Sequence, residues 1–189
     1  MNESRGVLGA AYRITADFLE KRGLKSEVSA KLSPASRKFV DKPPFAFSWH
    51  DYAALEEIEK VLHARSPELA ADLGFAAAEH LSGTVVAPVV KMALTLFGKS
   101  PDQLFTNLDR FYSMVTRGFS FRYEPAGEKA GQVRVTISGG KAHESLFQQI
   151  KGNLRMLYGL SGVNGTVDEP RVLRSDDAGA EVALRVSWA

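Results

Sequence analysis

Apolar residues recur at helical spacing through roughly the first 115 positions and at alternate positions in two later stretches. Val7, Leu8, Ala11, Ile14, Phe18 and Leu19 share one helical face, and Gly23 sits where a helix would stop. Asp41-Lys42-Pro43-Pro44 interrupts regular structure, because each proline disfavours helix in the residue before it. The pattern then predicts a helix capped by Ser48, with Asp51 at the capping-box position and Leu55, Ile58, Val61 and Leu62 on its apolar face. Ser66-Pro67-Glu68 and Ser100-Pro101-Asp102 each read as a helix start: serine caps, proline suits the first turn, and the acid favours the helix dipole. The apolar window from Leu73 to Gly98 predicts buried helices, broken between Gly83 and Pro88. The helix after Ser100 carries Leu104, Phe105, Leu108, Phe111, Tyr112 and Val115.

From Gly118 the period changes. Phe119–Tyr123 and Val133–Ile137 alternate as strands do, and Gly139-Gly140 makes a turn. Leu146, Phe147, Ile150, Leu154, Leu157 and Tyr158 form a further amphipathic helix ended by Gly159 and Gly162. A second hairpin follows: one strand over Gly165–Leu173, a turn at Asp176–Gly179, and a strand over Ala180–Trp188. Ala180, Val182, Leu184, Val186 and Trp188 fall on one side of that last strand, which predicts a buried Trp188. The order is α+β: an N-terminal multi-helix layer, then a four-stranded antiparallel sheet built as hairpin–helix–hairpin, in a single domain over residues 1–189. Strand before residue 110 is expected to be negligible.

Composition changes this picture little. The chain is 44% hydrophobic and 24% charged, as ordinary globular proteins are. It has no cysteine, which excludes disulfides, thiolate metal sites and cysteine nucleophiles. No signal peptide or membrane span is legible, and the expected location is cytoplasmic. A net charge of +2 names no partner. The basic run from Lys21 to Lys42 reads as solvated helix faces, without the aromatic interleaving of a nucleic-acid surface. Ser33-Pro34, Ser66-Pro67 and Ser100-Pro101 are almost evenly spaced, but the residues after them do not match, so this is no repeat.

Reactive chemistry is absent from the pattern. His50, His63, His80 and His143 are scattered, and Glu79-His80 lacks the second histidine of a zinc-protease helix. No phosphate loop and no Gly-x-Ser-x-Gly elbow is present, and the carboxylates at 56, 57 and 59 read as a solvated helix face. No catalytic residue, metal ligand or cofactor is assigned. Aromatic residues cluster twice, at Phe45–Tyr52 and at Phe111–Tyr123. Packing in the core is one account of them. The other is an apolar pocket between helices and sheet, lined by Trp49, Tyr52, Phe111, Tyr112, Phe121 and Tyr123, with His50 adding a polar handle. Gly118 would let helix and hairpin converge there.

Loose motifs across nearly the whole chain carry a resemblance. They are Arg5-Gly6 through Leu24, Leu73-Gly74, Leu96–Pro101, the Gly118 hairpin, and Leu184-Arg185-Val186-Ser187-Trp188. The chain resembles an uncharacterised family abundant in myxobacteria. More distantly it is similar to the ligand-binding superfamily of heme nitric-oxide sensors, four-vinyl-reductase-type domains and a Golgi-transport tethering subunit. Asp102–Ile137 also looks like the effector half of some AraC-type activators. The resemblance implies a sensory or scaffold module, not an enzyme. The departures are specific. Heme nitric-oxide sensors hold the propionates with Tyr-x-Ser-x-Arg, whereas this chain has Tyr112-Ser113-Met114-Val115-Thr116-Arg117. The lipidated and metal-binding cysteines of the other relatives are missing.

The reading is therefore a regulatory module that holds a small apolar or aromatic ligand between helices and sheet. The alternative is a protein-interaction scaffold with a filled core. A protein partner or homodimer is left open; specific nucleic-acid binding is not expected.

Overall fold

The computed structural model describes residues 4–83, 95 and 98–189. The expected break at Gly83–Pro88, half of the apolar window around it, and the side chain of His80 lie outside the described residues. The chain begins with β1 (Gly6–Leu8), α1 (Gly9–Lys21), α2 (Lys25–Lys31), α3 (Pro34–Asp41), β2 (Trp49–Asp51), α4 (Ala53–Arg65) and α5 (Pro67–Gly83). After the undescribed stretch come α6 (Pro101–Thr106), α7 (Leu108–Ser113), β3 (Thr116–Arg117), β4 (Phe119–Pro125) and β5 (Ala130–Ser138). The chain ends with α8 (Glu144–Ser161), β6 (Gly165–Val167), β7 (Arg171–Asp176) and β8 (Gly179–Trp188).

The α+β class and the hairpin–helix–hairpin order are as expected, with differences in strand count. The main sheet is antiparallel in the order β4-β5-β8-β6, and β7 also pairs with β8. The strand expected over Gly165–Leu173 is two strands sharing one edge of β8: β6 pairs with Val186–Trp188 and β7 with Gly179–Ala183. Pro170 stands between them without an N–H to donate, so the ladder is interrupted there.

A second, small sheet was not expected. β1 lies between β2 and β3, with Val7 opposite both His50 and Thr116. Two short strands therefore precede residue 110. They also move two helix starts. The first helix begins at Gly9 because Gly6–Leu8 is spent on pairing. Ser48 caps no helix: its hydroxyl donates to the Phe45 carbonyl (2.6 Å), and α4 begins at Ala53, whose N–H donates to the Asp51 carboxylate (2.7 Å). The proline-started helices follow the expected chemistry. Ser100 and Gln103 form a reciprocal capping box on α6, and Ser33 accepts from Ser36 N on α3. Asn107 divides the expected helix after Ser100 into α6 and α7.

Four basic side chains of the run are paired at the surface. Lys25 meets Glu20 (3.0 Å), Lys31 meets Glu27 (3.1 Å), Arg22 meets Asp72 (2.9 Å), and Arg37 donates to the Ser29 carbonyl (2.8 Å).

Two apolar clusters form the interior. The larger sits between α8 and the inward faces of β4, β5 and β8; the smaller joins α1–α5 around Leu19, Ile58, Leu62 and Leu73. Helices α5 and α8 meet backbone to backbone. A Cβ added at Gly152 would lie 1.8 Å from the Ala71 carbonyl oxygen, and one at Gly74 would lie 2.0 Å from that of Gln149. Only glycine permits this approach. Trp188 is half-buried, not fully enclosed, and stacks on Phe105 at 5.9 Å between ring centroids.

Candidate functional site

One side of α8 is closed against α5, while another side opens into a cavity. The cavity has a volume of about 360 Å³ and an overwhelmingly apolar lining. Its walls come from β1 and α1 (Val7, Leu8, Ile14), from Leu55 of α4, from α6 and α7 (Leu104, Leu108), and from α8 (Leu146, Ile150, Met156, Leu157). Phe47, Met114 and Val115 also line it, and Phe47 and Met114 are among the exposed large apolar side chains. A space of this size and polarity falls within the range of small-molecule sites.

Of the side chains expected to form a pocket, Tyr52, Phe111 and Tyr112 are brought to this lining. Trp49, Phe121 and Tyr123 are placed elsewhere. Trp49 is exposed on β2, where the Arg117 guanidinium lies 4.0 Å over its ring. Phe121 and Tyr123 share the inward face of β4, as their spacing requires, while Arg122 points to solvent. Phe121 is buried beneath the Tyr112 ring at 3.9 Å, and Tyr123 stacks on Phe105 and donates to Asp102 (2.8 Å). Phe111 and Val115 both line the cavity, Phe111 from α7 and Val115 from the turn after it, since the helix expected to carry both ends at Ser113. Gly118 takes φ +78°, and a Cβ there would lie 3.2 Å from the Arg5 Cα, so the close approach expected at this glycine is to the segment before β1.

Few polar groups interrupt the described lining. Gln149 and Asn153 stand one turn apart on α8, and Tyr52 faces them from the start of α4. The Tyr52 hydroxyl lies 2.6 Å from Glu59 Oε1 and 2.9 Å from Gln149 Oε1. Glu59 is fully buried, and its Oε2 has no hydrogen-bond partner. Burial pushes its carboxyl up to about 8. Burial, reinforced by Glu59, raises the Tyr52 phenol well above its ordinary value. The Tyr112 hydroxyl is buried without a partner in hydrogen-bond range; burial raises its pKa too, with the Asn153 side chain opposing.

Sequence reasoning missed Glu59, Gln149 and Asn153. Glu56 and Glu59 are buried, contrary to the solvated face expected of them. Glu56 takes Arg5 (2.9 Å) and Lys60 (2.9 Å) as counter-ions. Glu57, between them, binds the Ser33 hydroxyl (2.8 Å) and that of Ser36 at the start of α3. A signal was present: Glu59 is four residues after Leu55 and three before Leu62, on the apolar stripe itself.

The other described histidines face neighbours outside the cavity. His50 packs edge-on against Tyr12 and Phe39 and contacts the Ser48 hydroxyl (2.6 Å). His63 and His143 stack edge to face at 5.6 Å. Among the described residues no cluster of three metal-ligating side chains occurs, and no helix is long and apolar enough to cross a membrane.

No protein-family model and no curated protein matches the chain. Solved structures do match it in fold. An Fe(II) unliganded H-NOX protein from K. algicida superimposes with a TM-score of 0.67 at 12% identity, over 96% of this chain and 96% of that one. A Tt H-NOX variant gives 0.68 at 12% identity, over 96% and 94%. A Cs H-NOX mutant gives 0.69 at 11% identity, over 96% of each chain. Heme distortion has been probed in that family. At such identities the likeness is one of fold, and over nearly its whole length this chain is similar in architecture to H-NOX domains.

Proposed function

We propose that the chain is a non-enzymatic sensory module, one α+β unit over residues 1–189, that holds a small apolar or aromatic ligand between its helices and sheet. The observation that carries this reading is the apolar cavity beside α8, its described lining interrupted by few polar side chains. Tyr52, Phe111 and Tyr112 serve as ligand contacts within that lining. The H-NOX architecture supports a sensory role, and the described lining of the cavity, which holds no nucleophile–base pair, supports binding over catalysis.

Heme does not fit the described lining. Iron in heme is held by histidine, cysteinate, methionine or tyrosinate. The described lining contains no histidine and no cysteine, burial opposes ionisation of Tyr52 and Tyr112, and Met114 and Met156 lack there the histidine with which a methionine shares heme iron. It also contains no arginine or lysine to meet two propionates. Titration with hemin should give no saturable one-to-one Soret spectrum. Such a spectrum, abolished by His80→Ala or His50→Ala, would overturn the heme-free reading.

The ligand reading is tested by native mass spectrometry of protein purified from its own host, where a retained molecule appears as added mass. The rival scaffold reading gains if no small molecule is retained and none of a set of apolar probes raises the melting temperature.

A further inference from the structure

A chain of three oxygens runs from the polar corner of the cavity, at Gln149 and Tyr52, to Glu59 buried behind it. Glu59 Oε1, the Tyr52 hydroxyl and Gln149 Oε1 are joined by contacts of 2.6 and 2.9 Å. Two hydrogen bonds among three oxygens need two protons, and the phenol supplies one. The neutral Glu59 carboxyl supplies the other, donating to Tyr52, which donates to Gln149. The raised pKa of Glu59 agrees with this arrangement. The corner therefore carries no charge near neutral pH.

Gln149 is committed to Tyr52 through its oxygen, and that contact does not use its amide N–H pair. Asn153 adds a second amide on the same wall. The charged groups described nearby, Arg5, Glu56 and Lys60, are not among the described lining residues. Glu56 takes Arg5 and Lys60, and the other Arg5 nitrogen, Nη1, is buried without a partner.

We infer that the cavity selects an uncharged apolar molecule bearing one hydrogen-bond acceptor, a carbonyl or its equivalent, seated against Gln149 and Asn153 beside Tyr52. A carboxylate would have to shed its water among apolar walls with no cation in the described lining, and burying a charge so is costly. A molecule with no polar atom would leave the amide donors unmet. This inference rests on the ligand-binding reading above.

The test is a matched series of one skeleton with three heads: naphthalene, acetylnaphthalene and naphthoate. Binding to the full chain is measured by calorimetry and by thermal shift. Acetylnaphthalene should bind roughly tenfold tighter than naphthalene, and naphthoate more weakly than either. Gln149→Leu should abolish the advantage of acetylnaphthalene while keeping naphthalene binding; Asn153→Leu is the second variant, and the wild-type ranking needs neither. If naphthoate binds best, the charge selection is overturned and Arg5 becomes the anchor. If acetylnaphthalene and naphthalene bind equally, the acceptor role of the amides is overturned while the cavity reading stands. If no member binds, the ligand-binding reading itself fails.

Discussion

Helix α8 has two neighbours of opposite density. On its α5 side, Gly152 and Gly74 bring two backbones so near that neither position has room for a methyl group. Along the edge of that seam, Leu146, Gln149, Ile150 and Asn153 border an open space of about 360 Å³. The difference teaches how a fold can keep a hollow. Protein interiors close over empty volume unless their walls are held elsewhere. The α5–α8 seam is such a hold: it fixes the helix that carries Gln149 and Asn153, so the cavity wall does not depend on contacts across the cavity. The seam serves rigidity and the hollow serves recognition.

The largest expected effect comes from breaking the seam. Gly152→Ala forces a methyl group against the Ala71 carbonyl and the Phe75 N–H, so the helices must part. Neither obstacle is a flexible side chain that could swing aside. The expected loss is about 3 kcal/mol, the upper end for overpacking, read as a lower denaturant midpoint. If the variant is as stable as wild type, the seam is not the support described and the comparison collapses.

Much of this architecture was legible in the sequence, and the failures have physical causes. Alternation in Val133–Ile137 and Ala180–Val186 marks strands buried on one face, and those strands are where it places them. Serine-proline starts mark α3, α5 and α6, because cap chemistry is local. The three-residue strands β1 and β2 were not legible. Too short to show a period, they owe their conformation to partners more than forty residues away in sequence. Glycine against glycine across α5 and α8 was equally hidden, since Gly74 and Gly152 acquire meaning only as a pair. At the cavity, Tyr52, Phe111 and Tyr112 stand out as aromatics. The amides of Gln149 and Asn153 do not, because a polar residue on an amphipathic helix reads as surface until the wall opposite it is known.

A second effect, smaller for each pH unit, sharpens the hollow side. Folding raises the Glu59 carboxyl from 4.5 to about 8. The native state thus holds a proton that the unfolded chain releases, so this group's contribution to stability falls as pH rises through that interval. The slope is about 1.4 kcal/mol for each pH unit over which the shift is retained. Glu59→Gln keeps a neutral partner for Tyr52 and removes the titration. The variant should match wild type at the acid end of the interval and exceed its stability at the alkaline end. Urea midpoints measured at both ends check this. Equal pH slopes for the two proteins would show that Glu59 does not hold a proton in the native state.

The smallest expected effect tests the hollow most directly. Val115 lines the cavity, and its backbone is already anchored, with its carbonyl accepting from Leu8 N (3.0 Å) and its N–H donating to the Tyr112 carbonyl (2.9 Å). Val115→Phe adds atoms beyond Cβ without disturbing either bond. In a filled core that enlargement costs about 1–3 kcal/mol through displaced rotamers. Here the ring has empty apolar space to enter, and the surface it buries offsets any strain, so the midpoint should move by less than about 1 kcal/mol. Gly152→Ala, a far smaller enlargement on the same side of the sheet, should cost several times as much. Binding and stability then separate: the filled cavity should no longer take up naphthalene, although the fold survives. A Val115→Phe variant as damaged as Gly152→Ala would mean the two neighbours of α8 are equally dense, which is the condition the scaffold reading requires.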